Sequence, residues 1–373
     1  MRRIIAPVAL ILSILLTFVL VKGFAIESEP KVSKEVISLA DYVQRVEVCT
    51  DKDFSGTNIF SKAVLNCLSI EVFRPLITQE DFTMLNKVVH EAELRYPAFY
   101  LPCHNLMHTL VKFLPRDSKK LVQILREIEK PSCQGGLVHG IFDAVAALKV
   151  TPEVLKEFAL VCTEREEIFL KSESQVAASL SAYCSDASGH AAYGLTNNLE
   201  DAVKICNDIL SYGRQISACV EGVMMQRYEP ASGVGGLGYM MSHIELPKFC
   251  DSLKGKYKTD DVFLGCHDGA GYVYMRKAHN AQSCPTDQSC SESELNTKIN
   301  SAISEVYLAC KRDHDDAKQS RCSDKMSMQM PGFIYSKDNY RESACAIFVN
   351  SQQKIACNRF AQVQESRVEK GFA

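Results

Sequence analysis

Histidines and carboxylates recur at fixed distances from cysteines along the middle of this chain. Cys133-Gln-Gly-Gly-Leu-Val-His139 is one copy of the unit, and Cys184-Ser-Asp-Ala-Ser-Gly-His190 is a second. Cys219-Val-Glu-Gly-Val-Met-Met225 and Cys266-His-Asp-Gly-Ala-Gly-Tyr272 repeat it with other residues at the sixth place. Cys103-His-Asn-Leu-Met-His108 is a near copy, one residue shorter. Imidazole is a ligand for zinc, copper or iron. His104 and His108 are four apart, so on a helix both project from one face. If the copies share a centre, His104, His108, His139 and His190 meet there, with His267 as a further candidate. Asp143, Asp186, Glu221 and Asp268 are the carboxylates in reach. Each could orient a ligating imidazole or act as a general base toward a water. Taken singly, a histidine of this kind is more often a hydrogen-bonded packing residue, so the expectation rests on the shared offset.

Other chemistry is poorly represented. Cys103-His104 and Cys266-His267 are sequence neighbours whose side chains diverge, and thiol catalysis needs a free, activated cysteine beside its base. No G-x-S-x-G elbow occurs. Gly233, Gly235 and Gly238 match GxGxxG by letter. They follow Glu229-Pro230-Ala231 rather than a strand, so a hinge or packing loop is the better reading. Met224 and Met225 read as core, and Tyr193 and Tyr272 as pocket or packing residues. The fragments GGLVHG (135–140) and CHDG (266–269) resemble parts of helical-ring enzymes that place His and Cys at a central metal. They cover too little of the chain to transfer an activity or a ligand set.

The elements that must position these residues read as helices. Apolar residues fall at helical spacing in 32–48, 121–128 and 198–210. Thr151-Pro152 reads as an N-cap followed by Pro at the first helical position. The stretches 292–310 and 342–359 add two more helices, while 262–264 and 271–275 fit helix or strand. Intervals of 30, 51, 35 and 47 residues between the leading cysteines are too uneven for a regular solenoid. The expected fold class is all-α, a disulfide-stapled irregular helical repeat, bundle or ring-like. Its glycines would let helix starts approach closely near a shared centre.

The compartment is read from the N-terminus and the cysteines. Arg2 and Arg3 precede the uncharged run Ile4 to Val21, which is the pattern of an export signal. Residues 1–25 are therefore expected to be a signal peptide or an N-terminal membrane anchor. If uncleaved, the segment would be a transmembrane helix and would make the membrane a partner. All 16 cysteines follow it. With no CxxC pair, they suit a disulfide framework better than zinc knuckles. Residues 26–280 form the expected helical body and 281–373 a smaller cysteine-containing helical region. A net charge of -3 gives no case for nucleic acid. Together these features predict an extracytoplasmic metal-dependent enzyme, secreted, periplasmic or anchored. Hydrolysis is the reaction that suits it, with a small-molecule or protein substrate. The alternative is a non-enzymatic, disulfide-stabilised binding or scaffold protein.

Overall fold

A computed structural model describes residues 37–50, 62–95, 100–228, 245–257 and 259–280, with scattered positions between 291 and 358. Every regular element among the described residues is helical. The chain runs through α1 (Leu39–Thr50), α2 (Lys62–Cys67), a π-helical stretch (Leu68–Phe73), α3 (Arg74–Thr78), α4 (Phe82–Arg95) and α5 (Tyr100–Thr109). Then come α6 (Ser118–Glu127), α7 (Gly136–Ala147), α8 (Pro152–Ser172), α9 (Gln175–Thr196), α10 (Leu199–Ile209), α11 (Gly213–Tyr228), α12 (Glu245–Ser252) and α13 (Asp261–Asn280). The expected all-α, disulfide-rich class is what is found. The ambiguous stretches 262–264 and 271–275 both lie inside α13.

Local chemistry sets the helix starts. Pro152 occupies the first turn of α8 behind an extended Thr151, where the missing N–H has no intrahelical partner to lose. Asn198 caps α10 by accepting from the N–H groups of Glu200 and Asp201 at 2.9 and 3.1 Å. Asp117 does the same for α6 through Lys119 N–H at 2.9 Å. Such caps are each worth about 1 kcal/mol.

From α5 onward the helices alternate between two rows. In the inner row α5 packs on α7, α7 on α9, α9 on α11 and α11 on α13. In the outer row α6 packs on α8 and α8 on α10. Burial follows this division. Nine of the twelve residues of α7 are buried, whereas α8 buries one stripe containing Leu155, Phe158, Ala159 and Cys162. Phe142 and Phe158 meet edge-on between the rows, 5.7 Å apart. Glycines set the inner spacing. A Cβ on Gly189 of α9 would fall on the Cys219 carbonyl oxygen of α11. One on Gly222 of α11 would fall on the Asp186 carbonyl oxygen of α9. The contact lies at the middles of these helices, not at their starts, because Cys184 and Cys219 are helix-interior residues.

Disulfides tie the rows together. Cys162–Cys184 links α8 to α9, Cys206–Cys219 links α10 to α11, and Cys250–Cys266 links α12 to α13. Cys49–Cys67 joins α1 to α2. Cys103–Cys133 departs from the pattern and joins two inner-row segments, α5 and the turn before α7. All ten cysteines between 49 and 272 therefore pair among themselves. Cys345–Cys357 closes a further bond, and no cysteine is free among the described residues. Pairs of this number indicate an oxidising, extracytoplasmic setting. Replacing Cys162 and Cys184 together by Ala removes a link across 22 positions, with an expected loss of about 3 kcal/mol by loop entropy. Urea unfolding under non-reducing conditions measures it, and an unchanged midpoint would refute the estimate.

The expectation of a transmembrane helix is corrected. Among the described residues no helix is long and apolar enough to cross a membrane. Even α9, at 22 residues, buries its apolar face against protein and carries Ser, Asp and His at intervals. The N-terminal run on which that expectation stood lies outside the described residues, as do the glycine loop at 233–238 and most of 281–373.

Candidate metal centre

The inner row carries the site because successive helices present pairs spaced four apart. α5 offers His104 and His108, α7 offers His139 and Asp143, and α9 offers Asp186 and His190. In α11 the matching pair is Gly222 and Gln226. Gly136 makes the first junction close, since a Cβ there would meet the His104 backbone at 3.0 Å. The Gly189–Gly222 contact makes the last one close.

These helices bring four rings together. His104 and His108 have centroids 4.8 Å apart, and His139 lies 5.1 and 5.6 Å from them. His190 lies 5.1 Å from His139. Two ligand sets result, His104–His108–His139 and His139–Asp186–His190. The donor atoms within each set lie within 4.8 Å of one another. A third set, Glu93–Cys103–Cys133, has no free thiolate because its cysteines are disulfide-bonded. The structure thus contains side-chain clusters capable of holding a transition-metal ion.

Hydrogen bonds fix the tautomers. His104 Nδ1 lies 3.1 Å from the Cys133 carbonyl oxygen, which can only accept, so Nδ1 carries the proton. His108 Nδ1 faces Asp143 Oδ2 at 2.5 Å, and His190 Nδ1 faces Gln226 Oε1 at 2.9 Å. An imidazole that donates through Nδ1 leaves Nε2 as a lone pair, which is how ligating histidines are usually held. The Nε2 atoms of His104 and His108 stand 3.1 Å apart. With both Nδ1 protonated, two lone pairs face each other, an arrangement only a proton or a metal cation relieves. Two nitrogens bound at 2.0–2.1 Å on a tetrahedral zinc are about 3.3 Å apart.

His139 is the outlier. It is 3 % exposed, and neither ring nitrogen makes a hydrogen bond. Its Nε2 lies 3.1 Å from Asp186 Oδ2, close in charge terms but out of line for donation. His190 Nε2 lies 3.6 Å from the same oxygen. Such unmade hydrogen bonds cost about 1–3 kcal/mol each.

Burial and charge divide the protonation states. Desolvation, then the neighbouring His139 and His108, push His104 well below the ordinary histidine value. Desolvation also lowers His139, outweighing Asp186. For Asp186, burial opposes ionisation, but contacts with His139 and His190 win and hold it low. For His190, burial is outweighed by Asp186, then Asp143 and Gln226, and its pKa rises. His104 and His139 are thus held toward the neutral form and Asp186 toward the ionised form, while His190 holds a proton more readily than an ordinary histidine. The sign for folding follows. Below the unfolded value of 6.5 the unfolded chain binds more protons at His104 and His139, so stability falls there as the pH is lowered. The His190 contribution is full below 6.5 and fades as pH rises through its higher folded value. Metal-free protein is expected to be most stable near pH 6.5–7, just above the ordinary histidine value. A monotonic rise in urea midpoint from pH 5 to 9 would contradict this.

The remaining candidates lie elsewhere. His267 is buried on α13 against Phe263, with Nε2 3.6 Å from Asp251 Oδ1, and joins neither ligand set. Asp268 accepts from Ser217 Oγ at 3.4 Å. Glu221 sits where α11 meets Gly269, and neither carboxylate belongs to the two histidine sets. Tyr193 does line a cavity, of about 390 Å³, with Arg227, Phe249 and the first residues of α10. The histidines are not among its walls. Gln226 and the Cys133 carbonyl, the Nδ1 partners of His190 and His104, are groups the cysteine spacing did not indicate. The pairing of positions four apart would have reached Gln226. No family model matches this chain, and neither a curated protein nor a solved structure does.

Proposed function

We propose that this chain is a metal-dependent enzyme of an extracytoplasmic compartment, secreted or periplasmic, and that its reaction is a hydrolysis. The observation that supports this most is the set of three imidazoles held by Nδ1 acceptors, with Nε2 left to bind. A structural zinc site is closed by four protein ligands, whereas a catalytic one keeps a position open. Here the histidine side chains are at most 6 % exposed at His108, His139 and His190. Asp143 is 22 % exposed and Asp186 is 15 % exposed, so the carboxylates form the solvent edge. A bound ion would supply Lewis acidity and an acidified water. Asp143 accepts from His108 Nδ1 and would orient that ring toward the ion. Asp186, held ionised, balances the charge of the centre.

The test uses the oxidised full-length chain. Elemental mass spectrometry is expected to find a transition metal in at least molar amount. Ester, phosphoester and peptide substrates are then assayed with and without chelator. Asp143→Asn is expected to weaken metal binding 10–100-fold by removing the acceptor that orients His108, and hydrolysis should fall with it. Metal retention with no hydrolysis would favour the scaffold reading, and a folded chain that takes up no metal would end the proposal.

A further inference from the structure

Resting on that metal-binding reading, we infer that the centre holds two transition-metal ions bridged by the imidazole ring of His139. The two ligand sets share this residue alone. His104 and His108 complete one set, and Asp186 and His190 complete the other. A ring bound to one ion would leave its second nitrogen needing a hydrogen bond. The other three histidines meet that need through Cys133, Asp143 and Gln226. His139 differs: its Nε2 faces Asp186 Oδ2 at 3.1 Å, itself a member of the second set, and its Nδ1 is buried without a hydrogen bond. A bridging ring needs none, because each nitrogen carries an ion.

The chemistry balances simply. The first ion binds through the lone pair of neutral His139. As the second binds, metal–nitrogen bonds form to His139 and His190, the remaining N–H bond of His139 and any Nε2–H bond of His190 break, and those protons leave to solvent. One ion would then have His104, His108 and one nitrogen of His139, the other Asp186, His190 and the second nitrogen, each with open positions for water. The bridge would set the ions about 6 Å apart, from two metal–nitrogen bonds of 2.0–2.1 Å and the width of the ring. That exceeds the 3.5–4 Å of sites where two ions clamp one phosphoryl group. The two ions therefore serve separate ligands or separate roles, and the preferred ions are those suited to imidazole, zinc and copper.

The oxidised full-length chain is titrated with Cu(II) and followed by electron paramagnetic resonance, with bound metal counted in parallel. Two equivalents are expected to bind. The mononuclear signal should grow to one equivalent and then fall as the second copper couples through the ring. His104→Ala with His108→Ala, and separately Asp186→Asn with His190→Ala, should each bind one equivalent with a full, uncoupled signal. Saturation at one equivalent would overturn the bridge while leaving the metal-dependent reading intact. Two equivalents with undiminished signal would also overturn it. No uptake at all would remove both. The wild-type titration decides the matter alone if a variant fails to fold.

Discussion

His139→Leu is expected to abolish high-affinity metal binding and to make the metal-free protein more stable. The two effects share one cause. His139 belongs to both ligand sets, so its loss leaves neither with three donors. Removing an outer partner of a ligating histidine typically costs 10–100-fold in affinity. Removing the ligand common to both sets should exceed that, by about 1,000-fold or more for zinc. In the metal-free chain the same ring is 3 % exposed, with no hydrogen bond at Nδ1 and only the off-line Asp186 contact at Nε2. Leucine has similar bulk and no polar atom. Relieving unmet hydrogen bonds is worth about 1–3 kcal/mol, and apolar burial adds to it. Against this, Asp186 loses one of its two imidazole neighbours but keeps His190. A gain of about 1–2 kcal/mol in urea unfolding without metal is the net expectation. Gln226→Ala is the contrast, since it should weaken zinc within the 10–100-fold range by freeing the His190 ring. A zinc affinity unchanged in His139→Leu would remove this residue from the centre. A loss of metal-free stability would show that its nitrogens are satisfied in solution.

That trade of stability for binding marks where the sequence could and could not be read. The Thr151-Pro152 start located α8 and helical periodicity over 198–210 located α10, because these signals act within a few residues. The common offset of His139 and His190 from Cys133 and Cys184 did identify ring neighbours. The same logic failed for His267, although it follows Cys266 as His104 follows Cys103. The reason is the direction of each cysteine. Cys103 points to the turn before α7, within the inner row, and its neighbour His104 turns to the centre. Cys266 points outward to Cys250 on α12, and His267 follows it toward Asp251 and Phe263. Disulfide partners are long-range facts that spacing cannot supply. Gln226 was hidden for another reason. Its role needs a glutamine oxygen at one hydrogen bond from His190, which is visible only once α9 and α11 are in contact.

That contact yields the second large effect. Gly189→Ala is expected to destabilise the protein by about 3 kcal/mol or more, at the upper end of overpacking costs. Helix propensity alone would favour alanine by about 1 kcal/mol, so the sign of the result separates packing from propensity. The new Cβ would meet the Cys219 carbonyl and the Val223 nitrogen, both backbone atoms that no rotamer change can move. Gly222→Ala should behave alike, since its Cβ would strike the Asp186 carbonyl from the opposite side. Because α9 and α11 would have to separate, the 2.9 Å bond from His190 Nδ1 to Gln226 should lengthen or break. Zinc affinity should then fall together with stability. Gly255→Ala is the control. Its φ of +72° makes a side chain strained, but nothing lies within 4 Å of the added atom. A cost of about 1–2 kcal/mol with unchanged zinc binding is expected there. If Gly189→Ala unfolded within 1 kcal/mol of wild type and held zinc equally well, close approach of these two helices could not be what positions the centre. If instead stability and affinity fall together only at the α9–α11 contact, the glycines are the residues that convert helix packing into ligand geometry.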